Sequence, residues 1–135
     1  MARLEFFVVP RSVAIDQTSN VASVLEILEA IPTPSFPLLI PQCVAMSLWR
    51  EEPGDEDRDF QLVLRITTPS NTEHVMRTNF RMTNALHRVT QRIQGLPIES
   101  EGQLRFEAIL NDQHAAEHVV DIQRVDPVDS PAQQD

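Results

Sequence analysis

Hydrophobic and polar residues alternate most clearly at positions 60 to 66, where Phe60, Leu62, Leu64 and Ile66 interleave with Gln61, Val63 and Arg65. Period-two alternation predicts a β-strand with one buried face. Upstream, Val44, Met46 and Leu48 alternate with Ala45, Ser47 and Trp49, which predicts a second strand. The segment between them contains Pro53-Gly54, a turn dipeptide, and is expected to be a hairpin loop. After the turn Pro69-Ser70-Asn71, residues 72 to 82 set Met76, Thr78, Phe80 and Met82 on one face and Arg77, Asn79 and Arg81 on the other. Leu104, Phe106, Ala108 and Leu110 share a face, Asn111-Asp112 supplies a turn, and Val120 and Ile122 alternate with Val119, Asp121 and Gln123. That order predicts a closing hairpin.

The N-terminal third reads as Leu4–Val9, then Ser12–Asp16, then the polar turn Gln17-Thr18-Ser19-Asn20. Pro32, Pro34, Pro37 and Pro41 exclude a helix and suit an extended connector between sheets. Two segments carry local helical spacing. In one, Val21, Val24, Leu25 and Leu28 follow Asn20, a candidate N-cap; in the other, Leu86, Val89 and Ile93 precede Gly95 and Pro97. Locally both read as helices, while the strands around them pull the other way, because sheet pairing can override propensity; the residues alone leave 21–31 and 84–94 open between helix and strand.

At 135 residues the chain is expected to form one domain, residues 1–127, with a polar, acidic tail at 128–135 expected to be disordered. The net charge of -9 is unevenly placed. Residues 51–59 hold six acids and one Arg, and the segment from Asp121 holds four Asp against Arg124. Between His74 and Ile98 there is no acid, but Arg77, Arg81, Arg88 and Arg92 are present. An acidic balance argues against a general nucleic-acid binder, whose phosphate contacts need a cationic footprint. No apolar run approaches the ~20 residues of a membrane helix, and the short run Phe6–Val9 is too brief for a signal-peptide core. Cys43 is the only cysteine, so no internal disulfide forms. A cytoplasmic protein is expected.

Several pieces of punctuation resemble a family of small bacterial proteins of uncharacterised function. They are Leu4–Val9 followed by a polar turn, Val21–Ile31 running into Pro34-Ser35-Phe36-Pro37, Ile40-Pro41 leading into Val44–Trp49, and Gln94-Gly95-Leu96-Pro97-Ile98 leading to Gly102–Phe106. The resemblance implies an all-β fold, a single antiparallel β-sandwich similar to immunoglobulin-like or C2-like domains. It also implies that residues 21–31 and 87–93 are strands. It implies no activity and no catalytic residues.

Three clusters carry candidate chemistry. His114-Ala115-Ala116-Glu117-His118 matches the H-x-x-E-H order of inverted zinc peptidases, in which two histidines four apart on a helix hold zinc and the Glu polarises water. On a regular strand the two imidazoles would share a face about 13 Å apart, too far to chelate one ion. A half-exposed hairpin is the expectation, with a zinc-dependent hydrolase as the alternative. Asp55, Asp57 and Asp59 could hold calcium, but calcium wants six to eight oxygens from converging segments. A solvated, mobile loop is the plainer reading, with a calcium- or anion-responsive domain as the alternative. Arg77, Arg81, Arg88 and Arg92, if both their segments are strands, form a candidate partner-binding face. Cys43 reads as a small buried hydrophobe and Trp49 as a core anchor.

The expected architecture is therefore an antiparallel β-sandwich of about seven or eight strands. The expected function is a non-catalytic interaction or accessory module that recognises a protein partner, or a second copy of itself, through a sandwich face or end loops. No cofactor, metal, nucleic-acid or membrane partner is expected.

Overall fold

A computed structural model describes residues 1–127, so the expected tail at 128–135 lies outside the described residues. The described chain is all β. Its strands are β1 (Arg3–Val8), β2 (Pro10–Ile15), β3 (Ala22–Ile27), β4 (Ala30–Thr33), β5 (Leu38–Arg50), β6 (Asp59–Thr67), β7 (Glu73–Arg81), β8 (Leu86–Ile98), β9 (Gly102–Leu110) and β10 (Gln113–Arg124). They form a three-stranded sheet in the order β1-β5-β8, a five-stranded sheet in the order β4-β10-β9-β6-β7, and a two-stranded ribbon, β2-β3. All pairs are antiparallel except β10 with β4, which is parallel.

The two larger sheets face each other across a shared interior. The five-stranded sheet contributes the period-two residues Leu62, Leu64, Ile66, Leu104, Phe106, Leu110, Val120 and Ile122, all buried. The three-stranded sheet answers with Cys43, Ala45, Trp49, Val89 and Ile93. Alternation is enough here because each inward residue of one strand stands opposite an inward residue of the next, as Leu64 does with Ala108. Polar atoms in this interior are paired. The Trp49 indole N–H donates to Ser47 Oγ at 2.9 Å, and buried Gln91 donates through Nε2 to Thr78 Oγ1 at 3.1 Å, joining β8 to β7.

There are ten strands where seven or eight were expected. The apolar run Val21–Ile31 is not one strand. It breaks at buried Leu28, whose N–H donates to Val9 O at 2.9 Å, so β3 stays in the ribbon and β4 joins β10. Pro32 sits in β4, an edge strand, where a missing N–H is tolerated. Both segments of helical spacing are strands. β8 pairs with β5 from Leu38↔Ile98 to Arg50↔Leu86, and that long ladder outweighs local preference.

The acidic segment is not a hairpin loop, because β5 and β6 lie in different sheets and residues 51–58 cross between them. Most of its residues are exposed, as in a solvated loop, but one acid is not. Asp55 is 1% exposed, and its Oδ2 accepts the Glu52 N–H at 2.9 Å. Backbone bonds from Glu51 N to Ala85 O, Asp57 N to Met82 O and Met82 N to Arg58 O tie the segment to the end of β7 and the turn that follows. The Asn111-Asp112 turn has positive φ at both residues, 46° and 68°, as a two-residue hairpin with right-handed strand twist requires.

β5 is buried on both faces. Cys43, Ala45 and Ser47 face the five-stranded sheet, while Val44 and Met46 point the other way and are buried too. β2 packs against β5, and the ribbon covers that second side. Arg88 fastens the ribbon's tip: Nη2 donates to Asn20 O at 2.9 Å and to Asn20 Oδ1 at 3.3 Å.

Two outcomes follow for stability. Leu64→Ala removes a fully buried side chain and is expected to cost about 2–5 kcal/mol in urea unfolding. His87 stacks on Phe80 with ring centroids 4.7 Å apart, and burial holds its imidazole below the ordinary value of 6.5. The unfolded chain therefore takes up a proton at a higher pH than the folded one, and stability falls as pH drops through about 6.5. His87→Phe keeps a stacked ring, so the fall in melting temperature between neutral pH and about pH 5.5 is expected to shrink.

Candidate functional site

The outer face of the five-stranded sheet carries the densest ionisable chemistry. β9 directs Arg105 and Glu107 outward between its buried Leu104, Phe106 and Ala108. β6 brings Arg65 beside Glu107, with Nε donating to Oε1 at 3.0 Å. That hydrogen bond and the Arg65 charge hold the Glu107 carboxyl below the usual carboxylate range, with smaller contributions from His114 and Arg105. β10 sets Glu117 directly opposite Glu107. Two like charges so placed repel, and the Arg65 and Arg105 guanidiniums and the His114 imidazole stand around them. Arg105 Nε lies 3.7 Å from Glu117 Oε1, and His114 Nε2 lies 3.4 Å from Glu107 Oε2.

A β-bulge decides which residues meet. The register of β10 against β9 slips between His114 and Ala116, so Ala115 is an extra residue. His114 stands opposite outward Ile109, while His118 stands opposite buried Phe106. The two histidines of the H-x-x-E-H string therefore point to opposite faces, not to one face as regular strand geometry predicts. His118 Nε2 is 2.7 Å from Leu28 O, an imidazole hydrogen bond that ties β10 to the bend between β3 and β4. The string forms no two-histidine centre. The bulge instead unites His114, Glu117 and Glu107, whose ligand atoms all lie within 4.8 Å of one another. Glu107 was missed in the sequence because it is only a register partner, and no local signal marks Ala115 as a bulge.

The other candidates are distributed differently from the sequence expectation. Asp55, Asp57 and Asp59 do not converge. Asp55 Oδ1 lies 3.6 Å from both the N-terminal ammonium and Arg58 Nη1. Asp59 accepts from Arg81 at 2.9 Å, which holds its carboxyl low. Among the four arginines, Arg77 and Arg81 lie on β7 of the five-stranded sheet, and Arg88 and Arg92 on β8 of the three-stranded sheet. Arg81 is occupied by Asp59 and Arg88 by Asn20. Among the described residues, Arg77 and Arg92 have no ion-pair partner. An open depression beside the Asp59–Arg81 pair is lined by Gln61, Asn79 and Asn111 as well, and its Asn111 Oδ1 already accepts the Gln61 N–H. No helix among the described residues is long and apolar enough to cross a membrane.

The sequence comparison places the chain. A family model described as "Family of unknown function (DUF6941)" matches residues 5–123. The chain belongs to that family. The DUF6941 match spans every strand from β2 to β9 and most of β1 and β10, so it covers both sheets of the sandwich and the ribbon. No curated protein sequence matches. A solved structure described as an immunoglobulin-like protein, from Pseudomonas aeruginosa, is 12% identical over 91% of this chain and 97% of that one, with a TM-score of 0.38. The sandwich description of this DUF6941 member rests on its own sheets and their buried interior.

Cys43 lies in the core, and burial pushes its thiol up to about 11. Native protein at neutral pH is expected to leave Cys43 unmodified by iodoacetamide over a period that fully labels the urea-unfolded chain, as read by intact mass. Rapid labelling of the native protein would show the strand β5 opening locally.

Proposed function

We propose that the protein is a non-catalytic protein-binding module whose partner docks on the outward side of the β2–β3 ribbon as an extended polypeptide segment. One observation carries this reading. β3 presents Leu25 and Ile27 on the ribbon face away from Val13 and Val24, with exposures of 52% and 46%, and Val21 beside them is 61% exposed. Single exposed apolar residues are ordinary, whereas three within the seven residues 21–27, two of them on β3 and one just before it, form a patch suited to a partner. β3 pairs only with β2 among the described residues, so its far edge offers backbone donors and acceptors. An added strand would satisfy that edge and cover Leu25 and Ile27 together.

The buried, weakly acidic Cys43 and the core-facing His118 support a non-catalytic role, since neither is presented to a substrate. The ribbon carries the reading better than the arginine set, because Arg81 and Arg88 already hold internal partners.

Site-specific photo-crosslinking tests the proposal. A photoreactive side chain at position Leu25 is expected to give one dominant adduct in the native cell, and Ile27→Asp in the same chain to remove it. Ile27 is exposed, so the substitution is expected to change stability by no more than about 0.5 kcal/mol. No adduct from position Leu25, or the same adduct from position Gln103 on the five-stranded sheet, would overturn the reading.

A further inference from the structure

We propose that Glu107, His114 and Glu117 bind one divalent transition cation of the zinc class on the outer face of the five-stranded sheet. The three ligand atoms lie within 4.8 Å of one another, and the edge from His114 Nε2 to Glu107 Oε2 measures 3.4 Å. Donors around a tetrahedral zinc, at bond lengths of about 2.0–2.2 Å, stand about 3.3–3.6 Å apart. One edge of the site already has that length. Glu117 is 42% exposed and free to rotate inward by the remaining distance.

The site is built by the backbone. Cross-strand register opposes Glu107 to Glu117, and the bulge at Ala115 turns His114 onto their face. Without the bulge, residues three apart on a strand would face opposite sides. Arg65 grips Glu107 mainly through Oε1, at 3.0 Å, and more weakly through Oε2, at 3.5 Å, leaving Oε2 toward His114. That is the outer support a metal-ligating carboxylate needs. A dication also relieves the repulsion between the two carboxylates and takes over Glu117 Oε1 from the 3.7 Å contact with Arg105. An imidazole with two carboxylates suits zinc, and is poorly matched to calcium or magnesium, which want oxygen alone. The half-exposed His114 and Glu117 leave the fourth position to water. The bound ion would clamp the bulged start of β10 to β9.

Calorimetric titration of the metal-stripped full chain with zinc chloride at neutral pH tests this. One equivalent is expected to bind, and His114→Ala and Glu117→Gln are each expected to weaken binding by about tenfold or more, with unchanged far-ultraviolet circular dichroism. His74→Ala removes an exposed imidazole on β7 and is expected to leave binding unchanged. Calcium is expected to give no heat. The proposal is overturned if no zinc heat appears up to about 100 µM, at which a micromolar site would be filled. It is overturned equally if binding survives His114→Ala, or if His74→Ala abolishes it.

Discussion

The molecule is organised by a strand that must be covered twice. From Cys43 to Ser47, five consecutive residues of β5 are buried, so both faces of that strand need apolar cover. The five-stranded sheet supplies one cover through Leu64, Ile66 and Phe106. The β2–β3 ribbon supplies the other. An isolated two-stranded hairpin is marginal in water, and this one holds its place by being fastened at both ends. At its base, Val9 and Leu28 enter the core and share a backbone hydrogen bond. At its tip, Arg88 grips Asn20, and along its length Arg11 pairs with Glu26 at 2.9 Å. A ribbon used as a lid has one face to spend on the core. Its other face, with Leu25 and Ile27, is left to solvent or to a partner.

Charge follows the same logic of local fixation. The acidic crossing between β5 and β6 looks like surplus charge in the linear sequence. In the fold it is anchored through Asp55, which turns its carboxylate toward the N-terminal ammonium and Arg58. Arg81 and Arg88, which look like parts of a cationic face, serve Asp59 and Asn20. The concentrated chemistry lies elsewhere, on the outer face of the five-stranded sheet, where Arg65, Arg105 and His114 stand around the opposed carboxylates of Glu107 and Glu117 across three strands. Such a face needs register as well as composition, because each charge is balanced by a residue far away in sequence.

The interior of the five-stranded sheet was legible from residues 60–66 and 104–110, since period-two alternation is a local property of an extended chain with one wet face. The strand nature of residues 86–98 was less so. Its apolar spacing fits a helix, and only the ladder to β5 settles the matter. The break at Leu28 and the crossing of residues 51–58 between sheets were not legible at all, because sheet membership depends on which distant strand supplies the hydrogen bonds. The same is true of the ion cluster. His114 and Glu117 were visible as a motif, yet their true neighbour, Glu107, sits on another strand.

By itself the sequence determined that residues 60–66, 72–82 and 104–110 are strands, that turns fall at Pro69-Ser70-Asn71 and Asn111-Asp112, and which residues of those strands face inward. Those properties follow from side-chain hydrophobicity and backbone preference over a few residues. Tertiary structure decided the rest: the partition into two sheets and a ribbon, the second cover over β5, and the bulge at Ala115 that reverses the facing of His114 relative to His118. The physical reason is that a strand leaves its backbone donors and acceptors unsatisfied along both edges. Which strand satisfies them, and in what register, is settled only when the whole chain has packed.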